Sequence, residues 1–213
     1  GNNYTITNSH TPEKTSISGT KTWDDEDNQD GLRPGSITVN LLADGEKVAT
    51  KQVEPDAKGE WKYSFDNLDK YKEGKLIKYT VSEEKVDGYT MSVEGTNIIN
   101  SHIPGKTGIT VTKAWDDKED QDGLRPEEIK VQLYADGKEA GEEVTLTAAE
   151  GWTYSWTDLD AKKAGKDIVY TVKEVGEVSG YIATEANAGN NYTITNSHTP
   201  EKTSISGTKT WDD

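Results

Sequence analysis

The chain has 213 residues, of which 31% are hydrophobic, and this length suits one large domain or two small ones. Its formal net charge of -15 predicts a surface that repels nucleic acid and anionic membranes, so proteins that bind either are excluded. The chain has no cysteine, which excludes disulfides, thiol nucleophiles and thiolate metal sites.

The apolar residues favour strands over helices, because the chain has 6 Trp and 10 Tyr but only one Met and one Phe. The segment 66–75, DNLDKYKEGK, is expected to make a helical turn, and no long stripe of 3.6-residue period appears. Elsewhere, turn residues separate short alternating segments, which predict strands at 15–23, 36–42, 47–53, 60–65, 77–84, 88–93 and 96–101.

Seven short strands in about 90 residues are typical of a Greek-key β-sandwich, immunoglobulin-like or prealbumin-like. Residues 1–25 recur unchanged at 189–213, and KTWDDEDNQDGLRP at 21–34 is matched by KAWDDKEDQDGLRP at 113–126. The fold class is therefore all-β, with two tandem β-sandwich domains. The expected division is a last-strand fragment of a preceding module at 1–10, module A at 11–102, module B at 103–198, and a first-strand fragment of a following module at 199–213.

Three polar residues of each module fall on strand faces that should be buried. In module A, Lys21 alternates with Trp23, Glu83 with Val81, and Asn100 with Ile98. The equivalent residues in module B are Lys113, Glu174 and Asn196. The alternation around Asn100 is less regular because Ile99 is also apolar, so Asn97 is the alternative asparagine in module A.

Two interpretations of these buried groups remain open on physical grounds. They can form a salt bridge or a hydrogen-bonded network, because isolated buried charges cost several kcal/mol. Alternatively, burial lowers the pKa of the lysine and raises that of the glutamic acid. A neutral amine can then attack the asparagine carboxamide with the acid assisting, so that ammonia leaves and an isopeptide bond remains.

The opening K-x-W-D-D…Q-D-G-x-R-P motif, the Y-T-V-x-E strand and the closing N-S-H strand occur in this order in both modules. Together they resemble the Cna B-type repeats of Gram-positive cell-surface adhesins and pilins. The resemblance implies isopeptide cross-links from Lys21 to Asn100 with Glu83 assisting, and from Lys113 to Asn196 with Glu174 assisting. Asn8 and Lys209 carry the same motifs without a complete module around them, so their sites are expected to be incomplete.

The resemblance implies a structural stalk or spacer on the extracellular, cell-wall-anchored surface of a Gram-positive bacterium. The alternative is a ligand-binding adhesin module that contacts host or surface molecules. Expected partners are neighbouring repeats of the same chain, with a host ligand engaged only through other regions of the full protein. No cofactor is expected. No catalytic group remains for other substrates once the buried triads are assigned, so the chain is not expected to be an enzyme beyond this single turnover.

Other polar clusters have simpler interpretations. The loops at 23–31 and 115–123 are dense in aspartate but depart from the spacing of a calcium loop, which favours solvated turns neutralised by Arg33 and Arg125 over a metal site. The candidate calcium ligands are Asp25, Asp27 and Asp30 in module A, and Asp117, Asp120 and Asp122 in module B. Hydrogen-bonding roles are expected for His10, His102 and His198, and packing roles for Trp61, Trp152 and Trp156.

Overall fold

The computed structural model describes residues 1 and 3–213. They divide into two compact units, one of Gly1–Pro104 with Lys162–Lys166 and the other of Gly105–Ala161 with Asp167–Asp213. Regular structure in the described residues is almost entirely strand, and one 3-10 turn at Ala148–Glu150 is the helical element. None of the helical structure in this part of the chain is long and apolar enough to cross a membrane.

All seven strands predicted for module A are present, and each begins within a few residues of its predicted start. The strands of module A are β1 (Lys14–Asp24), β2 (Ile37–Ala43), β3 (Glu46–Val53), β4 (Trp61–Asp69), β5 (Tyr71–Lys72), β6 (Lys75–Leu76), β7 (Tyr79–Glu83), β8 (Thr90–Glu94) and β9 (Asn97–Ser101). Two short strands, β5 and β6, were not predicted. The expectation of a helical turn at 66–75 was wrong. Glu73 and Gly74 both have positive φ, which suits a tight two-residue hairpin turn between β5 and β6.

Two sheets enclose the core of module A. One has the strand order β4-β1-β9-β8 and the other the order β3-β2-β7. Alternate residues of both sheets face inwards, and the buried apolar residues that they contribute form one cluster: Ile37, Val39, Leu41, Val53, Trp61, Tyr63, Phe65, Val81 and Ile98. The all-β sandwich expected from the sequence is confirmed in this module.

Module B repeats this plan with different turns. Its strands are β10 (Lys106–Asp116), β11 (Glu128–Ala135), β12 (Lys138–Glu139), β13 (Val144–Thr147), β14 (Thr153–Asp160), β15 (Lys162–Lys163), β16 (Lys166–Asp167), β17 (Tyr170–Glu174), β18 (Ile182–Ala188) and β19 (Asn191–Ser197). One sheet has the order β14-β10-β19-β18, and in the other β11 pairs with β12, β13 and β17. Its buried core is Ile109, Val111, Ile129, Val131, Leu133, Leu146, Val172 and Ile194.

The segments outside the modules form no strand in the described structure. Residues 1 and 3–13 lie outside regular structure and are exposed, and residues 198–213 contain no strand either. The described parts of the segments expected to be strand fragments therefore join no sheet, although each repeats a sequence that forms a strand inside a module.

Candidate functional site

Lys21 and Asn100 lie on neighbouring strands of one sheet. β1 and β9 run parallel, with Lys21 opposite Ile98 and Trp23 opposite Asn100. Side chains that are paired across two strands point to the same face, so Lys21 and Asn100 share the inward face and are offset by two residues. Lys21 is 3% exposed and Asn100 1%. The fold thus places an amine and a carboxamide on one buried face.

Glu83 enters the same core from the opposite sheet. It is the last residue of β7, pairs with Val39 of β2 and is 9% exposed. Burial raises the pKa of its carboxyl group, which the Asn100 carboxamide and the Lys21 charge partly oppose. Neither carboxyl oxygen meets full hydrogen-bond geometry with a described residue. The Asn100 carboxamide nevertheless lies close enough to oppose the rise in the pKa of Glu83. Glu83 is therefore a buried acid that favours its protonated form.

Burial also shifts the Lys21 amine towards its neutral form. Loss of hydration lowers the pKa of Lys21 to about 8, against the opposing charges of Glu83 and Asp25. About a tenth of such amines are unprotonated at pH 7. The Nζ atom donates a hydrogen bond to the Thr22 carbonyl at 2.7 Å and lies 3.9 Å from the centre of the Trp23 ring. The amine therefore lies against the Trp23 ring and donates its hydrogen bond to the backbone.

Module B has the same strand pairing, but Glu174 is half-buried and does not lie on a fully buried face as expected. Lys113 lies opposite Ile194 and Trp115 opposite Asn196 on the parallel strands β10 and β19, and Lys113 and Asn196 are 3% and 1% exposed. Burial lowers the pKa of Lys113 to about 8 and raises that of Glu174 at the end of β17. Here the carboxamide contact is a full hydrogen bond, because Asn196 Nδ2 donates to Glu174 Oε1 at 3.2 Å.

Several polar atoms of these two sites lack a hydrogen-bond partner among the described residues. In the described structure both carboxyl oxygens of Glu83, both amide atoms of Asn100 and the amide oxygen of Asn196 are buried without a hydrogen-bond partner. Each such atom costs about 1–3 kcal/mol. Among the described residues, the ion pairs of the two modules' cores join arginine to aspartate, and none joins Lys21 to Glu83 or Lys113 to Glu174. The module A site therefore leaves more polar atoms without a partner than the module B site, where Asn196 bonds Glu174.

The remaining asparagine and lysine candidates lie outside the cores. Asn97 is exposed, and its side-chain oxygen accepts hydrogen bonds from the backbone nitrogen and the hydroxyl of Thr20, both at 3.0 Å. Asn8 is exposed and outside any strand. Lys209 is also exposed, with its Nζ 3.7 Å from the centre of the Trp211 ring. Of the two asparagines considered in module A, Asn100 is the one in the core.

The acidic loop of module A is organised around an internal ion pair. Asp25 is 2% exposed, and both of its carboxylate oxygens accept hydrogen bonds from Arg33, at 3.2 and 2.6 Å. Tyr89 donates a third bond at 2.8 Å and the backbone of Asn28 a fourth at 3.0 Å. Burial raises the pKa of Asp25, but the hydrogen bonds that it accepts, above all those from Arg33, outweigh this effect and lower the pKa.

The same arrangement occurs in module B, where Asp117 is 1% exposed and accepts hydrogen bonds from Arg125, Tyr181 and the backbone of Asp120. The expected neutralisation by the two arginines is confirmed, but the expectation of solvated turns is wrong for Asp25 and Asp117, which are buried. The described residues include no group of three or more suited to hold a metal ion. The tyrosine contribution was missed, although a Gly-Tyr dipeptide at 88–89 and 180–181 marks it in both modules.

The histidines and tryptophans have structural contacts. The ring of His102 bonds the Gly88 carbonyl at 2.8 Å and Asp30 at 2.9 Å, and His198 bonds Gly180 and Asp122 in the same way. His10 is exposed and outside any strand. Edge-to-face aromatic contacts within the modules join Trp23 to Trp61, Trp115 to Trp152 and Trp156 to Tyr154.

Comparison with known proteins places both modules in one family. The family model of the Cna protein B-type domain matches residues 17–101 and 109–197. A collagen adhesin of Staphylococcus aureus is 53% identical over 212 residues, which are 99% of this chain and 18% of that protein. The chain thus spans less than a fifth of this relative.

Two solved structures from the collagen-binding protein Cna of S. aureus are each 50% identical to this chain. A single B repeat unit aligns with a TM-score of 0.44 over 88% of this chain and 100% of its own, and a pair of B repeat units with 0.43 over 90% and 51%. The family matches cover both lysine, glutamate and asparagine sets, Lys21 to Asn100 and Lys113 to Asn196. The chain belongs to the family of Cna B-type domains and carries two of them in tandem.

Proposed function

We propose that the chain is a load-bearing spacer of a bacterial surface protein, in which each module closes on itself through one isopeptide bond. Lys21 joins Asn100 in module A with Glu83 assisting, and Lys113 joins Asn196 in module B with Glu174 assisting. The observation that supports the proposal is the burial of an amine and a carboxamide on one sheet face and of an acid on the facing sheet, with burial favouring the neutral forms of the amine and the acid.

The chemistry needs no external reagent. When both groups are neutral, the proton is bound to the Glu83 carboxyl group and not to the Lys21 amine. The amine nitrogen is then free to act as a nucleophile. This nitrogen attacks the side-chain carbonyl carbon of Asn100 while the Glu83 acid donates a hydrogen bond to the carbonyl oxygen. The bond to the carboxamide nitrogen breaks and ammonia leaves with a proton from the amine. Fixing the reactants on paired strands can supply about 7–11 kcal/mol of the barrier lowering.

The position of the bond suits a spacer under tension. β1 and β9 are the first and last strands of module A, and they lie side by side in parallel. Tension that enters through β1 and leaves through β9 crosses a Lys21–Asn100 bond directly, so strands β2 to β8 carry little load. The bond also restricts the unfolded chain as a disulfide over the same loop does, by about 4–5 kcal/mol. No reductant can open it.

The cellular setting is inferred from the relatives. One is named a collagen adhesin of S. aureus, and the single B repeat unit comes from a collagen-binding surface protein of the same organism. For this chain we infer an extracellular position in a wall-anchored surface protein, with adjacent repeats as its partners and any host ligand bound by other regions. The net charge of -15 is consistent with a surface that stays hydrated and does not adhere to its neighbours.

Intact mass tests the proposal directly. Two bonds lower the mass of the chain by two ammonias, about 34 Da in all. The matched variants Lys21→Arg and Lys113→Arg keep a cation but remove one nucleophile each, so each variant is expected to lose one ammonia only. Tryptic mapping should recover the linked peptides Lys21–Asn100 and Lys113–Asn196. Wild-type protein at its full sequence mass would end the proposal.

A further inference from the structure

One side of module B, next to the edge strand β14, is built differently from the same side of module A. In module A, β3 runs beside β2 as one strand from Glu46 to Val53. In module B the corresponding edge is interrupted, because β12 ends at Glu139, β13 begins at Val144, and residues 140–143 form no strand. A groove of about 530 Å³ lies at this interruption, and we call it the side groove. Its apolar lining consists mainly of Leu133, Val144, Tyr154, Trp156, Leu159 and Tyr170.

Tyr154 lies in the wall of the side groove, whereas its counterpart in module A, Tyr63, is buried. Each tyrosine pairs across two strands with an inward-facing residue, Gly19 in module A and Val111 in module B. A Cβ atom on Gly19 would collide with the Thr96 carbonyl oxygen and lie 2.7 Å from the Tyr63 hydroxyl, so the Tyr63 ring fits only over a glycine. Tyr63 is 4% exposed. Val111 is fully buried and fills the corresponding space in module B, where Tyr154 is 41% exposed.

Trp156 forms the next part of the same wall. Its ring contacts Tyr154 edge to face, with 5.0 Å between the ring centroids, and it is half-buried. Its counterpart in module A, Phe65, is 8% exposed. Leu133, which is buried, supplies an aliphatic surface inside the groove. A concave site of this volume with aromatic walls is typical of a ligand-binding pocket.

The rim of the side groove is acidic. Glu142 and Glu143 are exposed there, and none of the described residues that line the groove is basic. Lys130 lies 3.3 Å from Glu143, but both side chains are exposed, and an ion pair of this kind contributes little. Two carboxylates beside exposed aromatic rings favour a cation on an apolar stem. The guanidinium group suits both features, because it stacks on aromatic faces and pairs with a carboxylate through two parallel hydrogen bonds.

The side groove is separated from the point at which the chain leaves module B. It lies beside residues 109–111 of β10, which pair with β14. The chain leaves β19 at Ser197, opposite Asp116 at the other end of β10. At about 3.3 Å per residue, Val111 and Asp116 are about 17 Å apart along the strand. The exposure of Tyr154 thus follows from Val111 and the interrupted edge, both within module B.

We propose that the side groove of module B binds an arginine side chain presented by an extended segment of a partner protein. The guanidinium group stacks on Tyr154 or Trp156 and donates hydrogen bonds to Glu142, while its aliphatic stem packs against Leu133 and Val144. Free arginine fits less well, because its own carboxylate would face the acidic rim. A lysine ammonium also fits less well, because it is more strongly hydrated and has no planar face to stack.

This inference is independent of the proposed cross-links. The side groove includes none of Lys113, Glu174 and Asn196. Module A serves as an internal control, because the aromatic residues at the equivalent positions, Tyr63 and Phe65, are buried.

Titration of the isotope-labelled full chain with short peptides tests the inference by nuclear magnetic resonance. The probe is a blocked pentapeptide with one central arginine, in low salt so that the charges are weakly screened. The Trp156 indole resonance and the amides of residues 140–144 should shift and saturate, while the Trp61 indole should not respond. The citrulline analogue has nearly the same shape without the charge, and it should bind about tenfold more weakly or worse. The lysine analogue should bind several-fold more weakly.

Two variants locate the site. Glu142→Gln and Tyr154→Ser should each weaken binding of the arginine peptide about fivefold or more, since each removes one of the two recognition elements. Glu127→Gln makes the same change of charge at an exposed position outside the groove, and it should leave the affinity unchanged. If Tyr154→Ser does not fold, Glu142→Gln and the citrulline analogue still decide the question, because residue 142 is exposed and outside any strand.

Four results would overturn the inference. One is the absence of saturable shifts at Trp156 at millimolar peptide. Equal binding of the citrulline analogue would remove the role of the charge, and equal binding of the lysine analogue would remove the preference for arginine. Equal weakening by Glu142→Gln and Glu127→Gln would reduce the effect to the general attraction of an acidic protein for cations.

Discussion

Replacement of Glu83 by glutamine isolates the role of the buried acid, because module B serves as a control in the same molecule. Glutamine keeps the size of the side chain but cannot shuttle a proton, and general acid–base catalysis typically contributes about 10²–10⁴-fold in rate. Module A of Glu83→Gln should therefore fold with its Lys21 and Asn100 unlinked. The expected mass is about 16 Da above that of wild type, because the retained ammonia adds about 17 Da and the replacement itself removes about 1 Da.

The stability of module A should fall with the bond. The lost restriction of the unfolded chain is worth about 4–5 kcal/mol. A domain of this size loses about 4–8 °C in Tm for each kcal/mol, so its transition should fall by about 20–35 °C. Calorimetry should resolve this transition from that of module B, which stays in place. The mirror variant Glu174→Gln should move the other transition. If Glu83→Gln still loses two ammonias, or if both transitions move, the acid does not have this role.

Three further predictions concern the loops and the amine. Arg33→Met leaves the buried Asp25 carboxylate without its cation, and urea unfolding should show that the free energy of unfolding of module A falls by about 3–5 kcal/mol. An unchanged unfolding midpoint would show that the ion pair contributes nothing to stability. In freshly refolded protein, the rate of bond formation in module A should fall on both sides of a maximum, at low pH because Lys21 is protonated and at high pH because Glu83 loses its proton, as timed mass spectra will show. Asp30 raises the pKa of His102, so this contact stabilises the fold fully below about pH 6.5 and is lost as pH rises through the raised pKa. His102→Gln should abolish that part of the pH dependence, and a pH profile equal to that of wild type would contradict the assignment.

Local alternation placed Lys21 and Asn100 on faces that the structure buries. Lys21 and Asn100 fall on inward faces because side chains alternate with a period of two along a strand, and this needs no knowledge of the partner strands. The pairing of β1 with β9 could not be read in this way, because it joins segments that are far apart in the sequence. Only the structure shows that the lysine and the asparagine lie on adjacent parallel strands, two residues apart in register, with Glu83 on the opposite sheet.

The acidic loops show why composition misleads. Asp25 has the chemistry of a calcium ligand, but both of its oxygens are engaged by Arg33. The hydrogen bond from Tyr89 depends on a strand-to-strand turn 64 residues away, which no local pattern reveals. Likewise, the need for Gly19 arises from the Thr96 carbonyl and the Tyr63 ring, both distant in sequence. Contacts of this kind are set by tertiary packing alone.

The side-by-side pairing of the first and last strands sets the order of events during synthesis. A module cannot complete its sheet until its final strand has emerged, because β1 has no parallel partner before β9 is made. Until that moment Lys21 has no carboxamide beside it, and the nascent polypeptide stays free of branches. With the proposed isopeptide bonds, a chain threaded through a narrow secretion pore would pass as a linear strand and become covalently closed only on the far side.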